Sequence, residues 1–311
     1  MSAPTPPRVA YLLLILSTFF WGGNFVLSRA VHADMPPLAL AFWRWVLALV
    51  VILPFAWPQW KRHRLLIMQY WKVLLALSVL GIANFNTFVY LGLQTQPATN
   101  GLLLLSIGPI VILALSRLIF KESINVVQML GMMISLLGVG VIVTQGQPGQ
   151  LAQQFEHADG YGWILAAVVS WALYSVLLRL RPAGLPGIGL FGLTVLIGAI
   201  VLAPFYAYEH WVQQRHMALT AVNLLSIGYV GIFASILAFM FWNRGVADLG
   251  PARAGYVIHL IPVWGLLLAT GFLGEQLMAY HWMGMCCIFG GIWLATVRGR
   301  ARSGSRVLKS A

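Results

Sequence analysis

Apolar residues run along the chain in stretches of about twenty, each closed off by Gly, Pro, Asn or a charged residue, and such stretches recur ten times. A helix rises 1.5 Å per residue, so about 20 residues cross a hydrocarbon core about 30 Å thick. The pattern predicts helices at about 9–31, 37–57, 72–94, 97–119, 125–144, 160–180, 186–207, 221–243, 250–272 and 280–298. The first follows Arg8, as the apolar run of a signal peptide follows a basic residue, but it runs through Trp21-Gly22-Gly23-Asn24-Phe25 to Ala30 without a convincing small-residue cleavage site, so it is read as a retained helix.

Composition turns this pattern into a membrane protein. Of 311 residues 60% are hydrophobic and 8% charged, where a soluble domain carries roughly 25% charge, so a water-soluble globule is excluded. The net charge of +12 does not indicate nucleic acid, because the cations are spread over short loops. With the N-terminus placed in the cytoplasm, 16 of the 19 Lys and Arg fall on the inner side, leaving Arg29, Arg44 and Arg215 for the outer half. The positive-inside bias therefore puts both termini in the cytoplasm, with 299–311 as a basic tail. Cys286 and Cys287 are neighbours in an apolar stretch and make neither a metal set nor a redox motif; no metal or cofactor is expected.

The two halves repeat one another. At an offset of 150, Tyr11, Trp21, Val26, Leu27, Arg29 and Pro54-Phe55 match Tyr161, Trp171, Val176, Leu177, Arg179 and Pro204-Phe205. At 153, Gly92, Pro109, Glu122, Gly131 and Gly138 match Gly245, Pro262, Glu275, Gly284 and Gly291. Punctuating residues kept in order over half the chain mark a duplication, residues 1–150 and 151–298. Five helices per copy is an odd number, so the copies must have opposite topology, the inverted repeat of many secondary transporters, with a substrate site between the halves. Pro109 and Pro262 fall mid-segment and are expected either to hinge the two repeats or to kink them for packing, freeing carbonyls near Leu105 and Ile258 for a substrate ammonium.

On these residues the chain resembles the drug/metabolite transporter superfamily, in particular its EamA-type members with ten helices in two five-helix repeats. The resemblance covers about 9–298 and rests on Trp21-Gly22, Arg44, Pro109, Glu122, Gly131 and Gly138, with Pro262, Gly274-Glu275, Gly284 and Gly291 in the second half. Lys121 departs from the pattern, which usually has Gly before Glu122. The resemblance implies an exporter of small metabolites in the bacterial inner membrane, with helices three, four, eight and nine around a cavity, one and six beside them, and five and ten at the periphery. Aromatic richness points to the branch that exports aromatic amino acids.

All seven acids, Asp34, Glu122, Glu156, Asp159, Glu209, Asp248 and Glu275, fall in loops or at span ends. With no carboxylate at depth to titrate or ligate a cation, transport is expected to run down the substrate gradient with at most weak proton coupling. His259 lies well inside a span and reads equally as a proton-exchanging group or as a neutral packing residue. Arg44, about two turns into its helix, is expected to snorkel outward; facing the cavity instead, it would attract a carboxylate. Ser17, Trp21, Asn24 and Ser28 form one stripe, Asn86 and Tyr90 share a face with Asn84 opposite, and Trp163, Ser170 and Tyr174 share another. Ser106 is the repeat partner of His259, and Asn100 stands near the entrance.

The expected binding set is therefore Trp21, Asn24, Asn86, Tyr90, Ser106, Trp163, Tyr174, Tyr256 and His259. Against each stands a packing role: small polar residues join membrane helices, and Trp or Tyr near helix ends forms the interfacial belt. A cavity of this chemistry suits amino acids, aromatic and other neutral ones included, or alternatively drugs and small hydrophobic metabolites. No acid pair, His cluster or Ser/His/Asp grouping supports an enzyme. A monomer in the lipid bilayer is the expected working unit.

Overall fold

The computed structural model describes residues 6–31, 34–95, 104–122, 125–147, 149, 160–273 and 277–295. Asn100, Glu156, Asp159, Gly274, Glu275, the side chain of Arg29 and the tail 299–311 lie outside that set. The described residues form helices and no strands. Helix α1 is Pro7–Val31 and α2 is Pro37–Arg62. Helix α3, Trp71–Gly92, is widened by a π-helical stretch at Ser78–Asn84. Helices α4 and α5 are Gly108–Phe120 and Val126–Val143. Helix α6 covers Tyr161–Leu180 and α7 Gly187–Val212. Helix α8, Ala221–Leu249, carries its own π stretch at Val230–Leu237. Helix α9 starts with Pro251–Gly255, passes a 3-10 turn at Tyr256–His259 and continues through Leu260–Leu273; α10 is Ala279–Trp293.

Among the described residues, seven helices are long and apolar enough to cross a membrane: α1, α2, α3, α6, α7, α8 and α9. Helices α4 and α5 are shorter apolar helices. The segment expected at 97–119 is continuous helix only from Gly108, after a turn at Ser106-Ile107, and 96–103 lies outside the described residues.

Lipid tails give helices no hydrophobic reason to associate, so close backbone approach has to hold them together. Glycines make that approach. A Cβ on Gly22 would lie 2.7 Å from Trp264 Cβ, which brings α1 against α9. Gly92 seats α3 on Ile164 of α6, and Gly245 seats α8 on Leu14 of α1. Gly131 packs on Gly291 and Gly138 on Gly284, an order that requires α5 and α10 to run antiparallel. Helix α2 packs along α7 and α4 against the start of α9. The carboxylate of Glu209, at the end of α7, accepts the backbone N–H groups of Leu38 (3.2 Å) and Ala39 (2.8 Å) and so caps the otherwise unsatisfied start of α2.

The prolines do not sit where the sequence pattern puts them. Pro109 occupies the first turn of α4, and Pro262 is the third residue of the Leu260–Leu273 helix. Proline is tolerated there because its missing N–H would have no helical partner anyway. The breaks are made one step earlier, by the turn at Ser106-Ile107 and the 3-10 turn at Tyr256–His259. The Ile258 carbonyl, expected to be free, accepts the N–H of Leu260.

Candidate functional site

A cavity of about 630 Å³ lies between α1, α3, α6, α8 and α9, with the turn before α4 and the start of α2 completing its wall. Helix α1 contributes Trp21, Asn24, Phe25 and Ser28, and α3 contributes Phe85, Asn86, Val89 and Tyr90. Val168 and Trp171 come from α6, Phe239 from α8, and Ile258, Ile261 and Pro262 from α9. Ser106 lines it from the turn before α4 and Gly108 from the first residue of α4. At one end the lining passes to Val31, Met35, Pro37 and Gln94, and Pro37 and Gln94 are shared with a shallower recess holding Asp34, Arg215 and His216. That end is the mouth.

The other end is closed by aromatic rings. Trp21 meets Trp171 edge-on with centroids 5.1 Å apart, and both contact Phe239 and Trp242. Trp21 Nε1 donates to the Ala234 carbonyl at 3.0 Å, inside the π stretch of α8. One turn further along α6, the Tyr174 hydroxyl donates to Asn243 Oδ1 at 2.6 Å. Beyond it Arg244 pairs with Asp248 at 2.8 Å within α8, and Arg179 pairs with Glu122 across from α6 to the end of α4.

Of the nine expected binding residues, Trp21, Asn24, Asn86, Tyr90 and Ser106 line this cavity and the other four do not. Trp163 is 47% exposed on the outer face of α6 with its ring against Phe88, the placement of an interfacial belt residue. Tyr174 is buried below the ring cluster, where Gly81 of α3 makes room for it. Tyr256 is buried with Leu113, Met132 and Ala295, on the side of α9 turned toward α4 and α5. His259 is fully buried outside the cavity: Nε2–H donates to the Ser106 carbonyl at 2.9 Å, and Nδ1 accepts from the Ser135 hydroxyl at 2.6 Å. The carbonyl requires a proton on Nε2, and the two partners together use both ring nitrogens. Of the two readings open for His259, the contacts are those of a packing residue, and the Ser106 carbonyl is already taken.

Arg44 also differs from expectation. It does not snorkel: 1% exposed, its Nε donates to Ser235 Oγ (2.7 Å) and its Nη1 to Asn86 Oδ1 (3.0 Å) and Tyr90 Oη (3.1 Å). Trp171, Phe85 and Phe239 line the cavity without belonging to the expected set, although the match of Trp171 to Trp21 across the repeat is a signal for the first of them. Three polar atoms of lining residues hydrogen-bond to no described protein atom: Asn24 Oδ1, Ser28 Oγ and Asn86 Nδ2. An apolar, aromatic pocket with a few unpaired polar atoms is the usual form of a small-molecule site.

Comparison with known proteins agrees with a carrier. The model of the EamA-like transporter family matches residues 8–144 and 159–297. YyaM of Bacillus subtilis, named as an uncharacterized transporter, is 25% identical over 92% of this chain and 93% of its own. A protein of Salmonella typhimurium named "Probable amino-acid metabolite efflux pump" is 26% identical over 95% of this chain and 97% of its own. A crystal structure with 21% identity superposes at a TM-score of 0.77 over 94% of this chain and 98% of that one, which speaks for the fold.

Proposed function

The chain belongs to the EamA-like transporter family, a family of membrane transporters, and we propose that it exports amino acids, aromatic and other neutral ones among them, from a bacterial cytoplasm by alternating access. The carrying observation is the cavity: aromatic walls from Trp21, Phe85 and Trp171 beside the polar side chains of Asn24, Ser28 and Asn86, each with one buried atom that has no described protein partner. Rings stack on an apolar side chain, and the amide and hydroxyl atoms take up the ammonium and carboxylate. The relative named for amino-acid metabolite efflux supports the substrate class. Counterflow of labelled L-phenylalanine in proteoliposomes, competed by a panel of amino acids and of hydrophobic drugs, tests it. Stimulation by internal amino acid and indifference to the drugs is the expected result, and competition by drugs alone would favour efflux of hydrophobic metabolites.

The architecture belongs to the same reading: ten helices in two inverted five-helix repeats, one chain enclosing one pathway. Support comes from contacts that map onto each other when the halves are exchanged. Gly92 on Ile164 becomes Gly245 on Leu14, and Gly131 on Gly291 becomes Gly284 on Gly138, the latter pair on antiparallel helices. The π stretches of α3 and α8 are at equivalent positions as well. The break before Pro109 and the one before Pro262 then serve as paired hinges. With both termini in the cytoplasm, the closed end of the cavity faces in and the mouth faces out. Reporter fusions in the loop around 61–64 should report cytoplasm and those around 147–157 periplasm; a reversal at either would overturn the orientation.

A further inference from the structure

The least explained group in the molecule is a buried cation. Arg44 is held by Ser235 Oγ, Asn86 Oδ1, Tyr90 Oη and, at 3.4 Å, the Ala234 carbonyl, and its guanidinium lies 4.9 Å from the Trp45 ring centroid. Every one of these partners is neutral, and among the described residues no carboxylate pairs with it. An arginine stays protonated, and a buried charge without a counter-ion is costly enough that its retention asks for a compensating anion.

Two of its four hydrogen-bond partners line the cavity. Asn86 gives its Oδ1 to Arg44, which leaves Nδ2 bound to no described protein atom. Tyr90 accepts from Arg44 at its hydroxyl oxygen, which leaves the O–H to donate. The cation therefore polarises two donors from one face of α3, while the lining residue Asn24 of α1 carries an unpaired acceptor, Oδ1; Asn86 Nδ2 and Asn24 Oδ1 are covered by neighbouring atoms and meet a substrate once their side chains shift toward the cavity. We propose that Arg44, acting through Asn86 and Tyr90, makes this cavity select a substrate that carries a carboxylate, with the ammonium of an amino acid turned toward Asn24. Arg44 is a positioning residue in this account; the donors that touch the substrate are those of Asn86 and Tyr90. The assignment rests on the amino-acid reading above and narrows it, because it makes the acid group obligatory.

Purified full-length protein in detergent tests this through ligand-induced thermal stabilisation by L-phenylalanine, 3-phenylpropanoate and phenethylamine. The three share a ring and differ in which charges they carry. The two carboxylates should bind at least about tenfold more tightly than the amine, the size of effect expected of one charge acting at short range through protein. Arg44→Gln should erase that ratio, Arg44→Lys should keep most of it, and Tyr90→Phe should shrink it severalfold. A merely structural arginine would weaken all three ligands alike. Equal binding of 3-phenylpropanoate and phenethylamine by the unaltered protein, or an unchanged ratio in Arg44→Gln, overturns the assignment. If Arg44→Gln does not fold, an unchanged ratio in Tyr90→Phe does the same. Preference for phenethylamine overturns the carboxylate requirement and leaves an aromatic-ligand site standing, whereas no binding of any of the three overturns the amino-acid reading and this assignment together.

Discussion

Trp163 and Trp171 are the same residue type two turns apart on α6, yet one has its ring against Phe88 at the outer face and the other floors the cavity. Replacing Trp171 by Ala should cost substrate affinity by about 0.5–1.5 kcal/mol, the worth of an aromatic contact, while Trp163→Leu should be nearly neutral; equilibrium binding of labelled L-phenylalanine measures both. Sequence spacing groups Trp163 with Ser170 and Tyr174 on one face, but a helical wheel does not say at what depth along the helix a side chain meets the cavity, and Trp163 stands near the helix start, exposed, while Ser170 and Tyr174 are buried. The repeat pointed to Trp171 instead, through its match to Trp21. His259 teaches the same distinction. A glutamine there can still donate to the Ser106 carbonyl and accept from Ser135, so His259→Gln should preserve transport and its pH profile. His259→Leu strands both partners and should lower stability by about 1–3 kcal/mol, read as a fall in the detergent melting temperature. A lost pH dependence in the Gln variant would restore the proton-carrier reading.

At the scale of helices, hydropathy located the spans because the bilayer imposes one length on all of them, but it averaged over what happens inside them. The π stretches at Ser78–Asn84 and Val230–Leu237 leave apolar content unchanged and are invisible to it. They have consequences: the second presents the Ala234 carbonyl to both Trp21 and Arg44. Pro109 and Pro262 marked the broken segments correctly and the broken residues wrongly, since proline belongs in the turn after a break. Lys121, the departure from the family pattern, ends α4 in the left-handed conformation that glycine adopts without strain, at φ 54°. Glycines at helix contacts are the most legible feature, and their energetics are testable. A Cβ on Gly138 would stand 2.6 Å from the Gly284 carbonyl oxygen, so Gly138→Ala must push α5 from α10. Overpacking of this kind costs about 1–3 kcal/mol. Gly140, with open space around it, should accept alanine without loss. Paired thermal melts of the two variants make the comparison.

Across the whole molecule, in the alternating-access reading proposed above the cavity closes at its mouth and opens at its other end, so the contacts that seal the closed end set the balance between the two states. Among the described residues, three side-chain pairs stand there beyond the ring cluster. Arg244–Asp248 lies within one helix and moves with it, so this pair does not by itself join two helices. Arg179–Glu122 does bridge α6 to the end of α4, but its side chains are 37% and 27% exposed, and an ion pair in that setting contributes about 0–1 kcal/mol. The Tyr174 hydroxyl on Asn243 joins α6 to α8, and Tyr174 is 1% exposed, so this bond is better shielded from water than the Arg179–Glu122 pair although Asn243 itself is half-buried. Burial therefore decides the ranking in favour of Tyr174, a residue that the sequence placed in the binding site and that the structure places beneath it. Tyr174→Phe keeps the ring packed on Trp171 and removes only the hydroxyl. It should shift the equilibrium toward opening at that end by about 1 kcal/mol, roughly fivefold in population, and Glu122→Gln should shift it less. Distances between spin labels at positions 62 and 182, at the ends of α2 and α6, would show the new population directly. A larger shift from Glu122→Gln than from Tyr174→Phe would mean that the exposed pair, and not the buried hydroxyl, is the latch.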